Sequence, residues 1–222
     1  LPQVFLSRYM LKKHHVDSEI LRAASRVAIR GNRLFDFDCA KQALSIGRIV
    51  NSLRTTRSNR SVRLSDYGIQ HVAVIGDGYG FLGSLLLELD PNLRVTSINI
   101  GKTLLFDVLN TAKVHPTTTP RLVRAESTSI CDLDARISFM EAENYDLLER
   151  MPIDLFINIA SMQEMNPTVI AKYFELFHSV SRKQVFFYSC NRQRKVLPDG
   201  SVIEFENYPW GDCVDLFYEL CP

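Results

Sequence analysis

The sequence predicts an α/β fold: a mostly parallel, twisted sheet with helices on both faces, antiparallel strands toward its C-terminal end and a helical extension at its N-terminal end. Three observations predict it. Beyond about residue 69, short apolar runs alternate with segments of helical period. A glycine-rich turn joins the first apolar run to the first of these helices. Before residue 54, apolar residues recur at three- and four-residue intervals.

In the N-terminal part, Ile20, Ala23, Ala24, Val27 and Ala28 form one helical stripe, and Ala40, Ala43, Leu44 and Ile49 a second. Asp17 and Ser18 are the candidate N-caps of the first helix, and Gly31-Asn32 is its stop. Residues 54–63 are polar and basic with neither period, and read as a linker. The chain therefore divides into a helical segment, residues 1–68, and a main domain, residues 69–222. The helical segment is expected to cover the cleft, to line an acceptor pocket, or to form a dimer surface.

In the main domain, strands are expected at 71–75, 94–99, 121–125, 153–159 and 184–190, with helices at 81–89, 103–112, 137–150 and 167–180. Residues 201–205 and 213–220 alternate as antiparallel strands do, separated by Asn207-Tyr208-Pro209-Trp210-Gly211.

With 26 basic against 25 acidic residues, the net charge of +1 is too small to argue for a general electrostatic attraction to nucleic acid or anionic lipid, which leaves a local basic patch open. No apolar run is long enough for a membrane span. The N-terminus lacks the long apolar core of a secretory signal, and without an initial Met a processed or trimmed start is expected. Five widely spaced cysteines without a C-x-x-C pair argue against a disulfide framework and a zinc knuckle, so a reducing, cytoplasmic compartment is expected. The five histidines show no metal-ligand spacing, and no metal is expected.

The chemistry concentrates in HVAVIGDGYGFLG, where an apolar strand runs into Gly76-Asp77-Gly78-Tyr79-Gly80 and then a helix. Glycines there let backbone approach a ligand, and a helix N-terminus presents free amides, so a nucleotide-like ligand is expected. The dinucleotide fingerprint G-x-G-x-x-G fails from Gly76, because Phe81 takes the third glycine's place; it is met only two residues late, by Gly78, Gly80 and Gly83. The G-x-G-x-G spacing of Gly76, Gly78 and Gly80 needs no shift and matches the first motif of class I methyltransferases.

Together with Phe156-Ile-Asn-Ile-Ala-Ser-Met-Gln-Glu-Met165, Phe187-Tyr-Ser-Cys-Asn-Arg192 and Val202-Ile-Glu-Phe-Glu-Asn-Tyr-Pro-Trp210, the turn resembles a family of sugar O-methyltransferases found with bacterial polysaccharide-assembly genes. The resemblance runs from about Ile69 to Trp210. It implies a Rossmann-like class I methyltransferase fold, S-adenosylmethionine as cofactor and a small-molecule or glycan acceptor. Cofactor contacts are then expected at Gly76, Asp77, Gly78, Tyr79 and Gly80, at Glu126 and Ser127 after the third strand, and at Asn158 and Ala160 in the fourth. Two positions depart from the pattern. Val74 stands where an acid usually precedes the first glycine, and Asn99 stands where an acid usually ends the second strand and accepts from the ribose diol. An amide carbonyl accepts such a bond without the charge-assisted part.

Glu164 follows the carboxyl end of the fourth strand, where open α/β sheets place ligands, and is the candidate catalytic base, with burial expected to raise its pKa. The alternative is a cap of the next helix or an ion pair. Ser161, Gln163, Asn191 and Arg192 are candidate acceptor-binding residues, and Tyr208 and Trp210 candidate stacking platforms for a sugar face. Two rival functions stay open: a non-catalytic binding protein on a methyltransferase-like frame, and an NAD-type oxidoreductase.

Overall fold

The computed structural model describes residues 9, 11, 13–56, 59–124, 135–180 and 185–211. Two long helices open it, α1 (Ser18–Arg30) and α2 (Phe37–Thr56). Asp17 caps α1, its carboxylate accepting from the Glu19 amide at 2.9 Å, and Gly31 closes it with Asn32 in the left-handed region. The expected linker is shorter than the sequence implied. Helix α2 runs to Thr56, and the Arg54 guanidinium bonds the carbonyls of Arg60 and Ser61 and the Asp17 carboxylate.

The alternating part follows as β1 (His71–Ile75), α3 (Phe81–Leu89), β2 (Arg94–Asn99), α4 (Gly101–Val114), β3 (Arg121–Val123), β4 (Ile137–Glu141), β5 (Leu155–Ile159), α5 (Pro167–Ser179) and β6 (Phe186–Cys190). These six strands form one sheet in the order β3-β4-β2-β1-β5-β6, and every pairing is parallel. Strands β7 (Arg194–Val196) and β8 (Val202–Glu204) pair antiparallel as a separate hairpin. The antiparallel part thus joins 194–196 to 202–204; the expected strand at 213–220 lies outside the described residues. Among the described residues, no helix is long and apolar enough to cross a membrane.

One expected helix is wrong. Residues 137–150, read as a single helix, are strand β4 followed by a 3-10 helix, Ala142–Arg150. Ile137, Ser138, Phe139 and Met140 are buried on both faces between β2 and β3, and such a two-sided strand shows no alternation to separate it from a buried helix. The correction matters for function, because β4, and not β3, is the neighbour of β2.

The extension has a physical role in this layout. Helix α3 is buried nearly all round, including Phe81, Leu82, Leu85, Leu86 and Leu89, so it needs cover on its outer side as well as the sheet beneath. Helix α1 supplies that cover with Ile20, Ala23, Ala24 and Val27, and one apolar cluster runs from these residues through α3 to β1, β2 and β5. A second cluster fills the opposite face, where α5 lays Ile170, Tyr173, Phe174 and Phe177 on Phe156 and Phe187.

Candidate functional site

The carboxyl ends of β1, β2, β4, β5 and β6 lie along one edge. In register, Ile75 faces Ile98 and Asn158, Asn99 faces Glu141, and Ile159 faces Cys190. Strand β2 lies on one side of β1 and β5 on the other, so the order in which the chain adds strands reverses at β1. Open α/β sheets bind ligands in the crevice outside such a reversal. Here the crevice is flanked by the glycine turn after β1 and by the loop after β5.

Gly76, Gly78 and Gly80 all have positive φ. They do so for different reasons. A Cβ on Gly76 would collide with the Ser161 side chain, and one on Gly80 would lie 2.6 Å from the Asp107 carbonyl oxygen, so both are closed in by protein. Gly78 has no protein atom within 4 Å of a Cβ position; it is the point where a ligand can reach backbone. Tyr79 is exposed, its ring 5.9 Å from Phe106 and 5.6 Å below the Arg33 guanidinium, which also lies over Phe81.

Asp77 turns inward, away from the crevice. Its two carboxylate oxygens accept from the Leu82 amide at 2.9 Å and the Gly83 amide at 2.7 Å, closing the N-terminus of α3. Helix α4 places a second acid close by, Asp107, fully buried and accepting from Asn99 Nδ2 at 2.9 Å and Ser97 Oγ at 3.2 Å. Burial, and then the charge on Asp107, pushes the Asp77 carboxyl well above the usual range; burial also raises Asp107, opposed by the bonds from Asn99 and Ser97. A free aspartate titrates near pH 4, so between there and neutrality the folded chain holds more protons on this pair than the unfolded chain does. Its contribution to stability therefore falls as pH rises. Melting temperatures from pH 5 to 8 should fall less steeply in Asp107→Asn than in the native protein; parallel curves would refute the assignment.

Asn99 is not placed as a simple ribose acceptor. It is 8% exposed, its Nδ2 donates to Asp107 and its Oδ1 accepts the Ile100 amide at 3.0 Å. Val74 is buried within β1.

Across the crevice a polar network staples the β5 loop to its neighbours. Asn158, wholly buried, donates from Nδ2 to the Ile75 carbonyl and to Ser161 Oγ, while its Oδ1 accepts from the Met162 amide and Asn191 Nδ2. Ser161 donates to the Ile75 carbonyl at 2.8 Å. Asn191 accepts the Gln163 amide at 3.1 Å, and Gln163 Oε1 accepts the Arg192 amide at 2.8 Å. The amides of Asn158, Gln163 and Asn191 thus hold the loop. Ala160 sits in the left-handed region at φ 58°, a conformation that costs an alanine about 1–2 kcal/mol and is retained at the crevice wall.

Glu164 stands at the end of this network with its side chain 48% exposed, so the expected burial is absent. Oε1 accepts from Gln163 Nε2 and pairs with Lys195 Nζ of β7, both at 3.0 Å. The Gln163 bond first, then Lys195, lowers its pKa, the reverse of the expected shift. Arg192 is exposed beside it.

Tyr208 and Trp210 do not stand as open platforms. Tyr208 is buried, stacked on Trp210 at 5.7 Å, and Trp210 meets Phe174 edge-on at 5.1 Å and donates from its indole to the Phe205 carbonyl. The aromatic pair belongs to the packing against α5. Glu126 and Ser127 lie outside the described residues. Glu141 is exposed and stands beside Asn99, at the end of the strand that neighbours β2.

Sequence reading missed Asp107, Glu141 and Arg33. Asp107 left a signal, since Leu104, Asp107, Thr111 and Val114 are the inward stripe of α4 and an acid on such a stripe needs a buried partner. Glu141 was hidden by the misread strand. Arg33 carries no local signal, for only the packing of the extension on α3 brings it to the turn.

No family model matches the chain, and no curated protein is similar to it. Among solved structures, a protein described as a caffeoyl-CoA O-methyltransferase from Staphylococcus aureus matches 79% of this chain and 68% of its own at 15% identity, with a TM-score of 0.43. Human N-acetylserotonin methyltransferase, solved with S-adenosylmethionine, matches 63% of this chain at 14% identity and a TM-score of 0.31. An O-methyltransferase family protein from Burkholderia thailandensis matches 78% at 16% identity and 0.35. The chain spans 35% of the human protein and 49% of the Burkholderia one. Likenesses this distant carry no activity to this chain.

Proposed function

We propose that the crevice binds S-adenosylmethionine and that the protein transfers its methyl group to a hydroxyl of a sugar-like acceptor. The observation that carries this reading is the Asp77 cap. Pyrophosphate of a dinucleotide needs free amides at the N-terminus of the helix after β1, and here those of Leu82 and Gly83 already bond a carboxylate. A phosphate would find these donors already taken, whereas a sulfonium ligand needs none.

The groups that fit such a ligand are the open backbone at Gly78, the rings and cation around Tyr79, Asn99 and Glu141 at the strand ends, and the strained Ala160 opposite. When bound, the cofactor would supply an electrophilic methyl on sulfur for transfer to the acceptor oxygen, with a neutral thioether as the leaving group. Glu164 takes the acceptor's proton on Oε2, the oxygen not engaged by Gln163 and Lys195. Its lowered pKa keeps it ionised at neutral pH and makes it a weak base, so most of the acceleration comes from alignment. Ser161, Gln163, Asn191 and Arg192 form the acceptor side of the cleft, the amides holding the loop and Arg192 reaching solvent.

A thermal-shift series tests the cofactor. S-adenosylmethionine and S-adenosylhomocysteine should raise the melting temperature in a concentration-dependent way and NAD should not. No response to either adenosyl compound at millimolar concentration removes the reading, and a response to NAD alone reinstates the oxidoreductase. The second reading, a binding protein without turnover, is favoured by the engagement of both ends of the Asn99 amide. It predicts the same shifts with no methyl transfer to any hydroxyl acceptor.

A further inference from the structure

Helix α4 is amphipathic in the reverse sense over its middle turns. Its inward stripe is Leu104, Asp107, Thr111 and Val114, two of them polar. Its outward stripe runs through Lys102, Leu105, Phe106, Leu109 and Lys113, the three- and four-residue steps of one helical face. Leu105 is 56% exposed, Phe106 49% and Leu109 56%, and Ile100, at the start of the same helix, is 68% exposed. The ridge meets the crevice at the Tyr79 ring, 5.9 Å from Phe106. Single exposed apolar residues are ordinary, whereas a contiguous ridge along one helix marks a surface that another apolar body covers.

Charge identifies that body. The acid of α4 is the buried Asp107, so its outward face carries Lys102 and Lys113, one at each end of the ridge, and no carboxylate. Lys113 donates to the Gly31 carbonyl, and among the described residues neither lysine pairs with an acid. Arg33, over Tyr79, adds little net charge, because Asp36 and Asp38 bond it. A second copy of the chain covers such a face badly. Two of these helices packed antiparallel about a twofold axis set the Lys102 end of one on the Lys113 end of the other, and parallel packing sets each lysine on its equivalent. Both arrangements put cation on cation with no acid between them. A bilayer with anionic headgroups suits the whole pattern, since its acyl boundary takes the leucines and the phenylalanine while the lysines extend to the phosphates. We propose that α4 seats the protein on an anionic lipid surface, lying in the plane of the interface with its Leu105, Phe106 and Leu109 ridge in the acyl boundary. The docked face then borders the crevice mouth, because α4 begins directly after β2 and its ridge touches the glycine turn. The assignment stands apart from the cofactor reading, in which Lys102, Leu105, Leu109 and Lys113 take no part.

Co-sedimentation tests it, with the purified chain at about 0.1 M salt and vesicles of phosphatidylcholine alone or with roughly one third phosphatidylglycerol. Native protein should partition onto the anionic vesicles about 25-fold more strongly, roughly fivefold for each lysine, and should lose that preference at about 1 M salt. Lys102→Gln combined with Lys113→Gln should bind both vesicles alike. Leu105→Gln combined with Leu109→Gln should lose about tenfold or more on both, because the apolar contact is common to them. All four side chains face outward, so circular dichroism and melting temperature should be those of the native chain; if the leucine variant does not fold, the lysine variant carries the test. Native protein that stays in the supernatant with both vesicles overturns the proposal. Light scattering then tells a second copy, seen as a native dimer that the leucine variant returns to monomer, from a protein partner with an acidic surface, for which the chain is a monomer throughout. Vesicle binding that is unchanged in both variants also overturns it, since another face then carries the contact. None of these readouts uses methyl transfer or an adenosyl ligand, so failure of the cofactor reading and failure of this one are seen separately.

Discussion

Glu164→Gln is expected to lower turnover by about 10²–10³-fold while leaving the melting temperature and the affinity for S-adenosylhomocysteine unchanged. The split follows from where the side chain stands. It is half exposed, and its contacts with Gln163 and Lys195 are of the surface kind that contribute about 0–1 kcal/mol, so the fold has little to lose. Glutamine keeps an oxygen for the same two donors but cannot take a proton. A companion variant, Lys195→Met, removes the cation that helps hold the carboxyl down, so its pKa rises and the acidic limb of the rate profile should move to higher pH. Full activity in Glu164→Gln eliminates Glu164 as the base, and an unmoved acidic limb in Lys195→Met eliminates it as the titrating group.

Gly80→Ala is expected to cost about 2–5 kcal/mol, combining a residue forced to positive φ with a methyl driven into packed backbone. The methyl would lie 2.6 Å from the Asp107 carbonyl oxygen and 2.9 Å from Thr111 Oγ1, at φ 64°, and the backbone of α4 cannot swing aside as a flexible side chain would. For a chain of this length that is a fall of roughly 5–15 °C in melting temperature. Gly78→Ala is the contrast. Its φ is also positive, at 84°, but no protein atom lies within 4 Å, so only the conformational cost of about 1–2 kcal/mol applies. Its main effect should be on ligand affinity, because the methyl projects where the ligand would approach. Calorimetry and titration on both variants read the difference; equal losses of stability would mean that Gly78 too is packed against protein.

The parts of the fold set by local physics were legible. The period of Ile20, Ala23, Ala24 and Val27, the Asp17 cap and the Gly31 stop all act within one or two turns of helix, and β1 with its glycine turn is a continuous run whose strand and break are both local. Strand β4 was not legible because a strand buried on both faces has the composition of a buried helix, and only its neighbours β2 and β3 separate the two. The same limit governs the candidate site. Glu164 was found because its loop follows a strand in sequence, yet its exposure and its Lys195 partner come from a hairpin about thirty residues further on.

From the sequence by itself came the class of fold, the turn at Gly76 to Gly80 and the choice of strand ends as the place for chemistry, since apolar period, caps and glycine spacing act over a few residues. Tertiary structure alone decided the direction each polar group faces. Asp77 could point to a ligand or to its helix, Asn99 to the crevice or to Asp107, and Tyr208 to a sugar or to Trp210; in each case the partner is set by packing between distant segments. Buried polar groups take the nearest fixed donor or acceptor, and which one is nearest follows from how helices and strands stack.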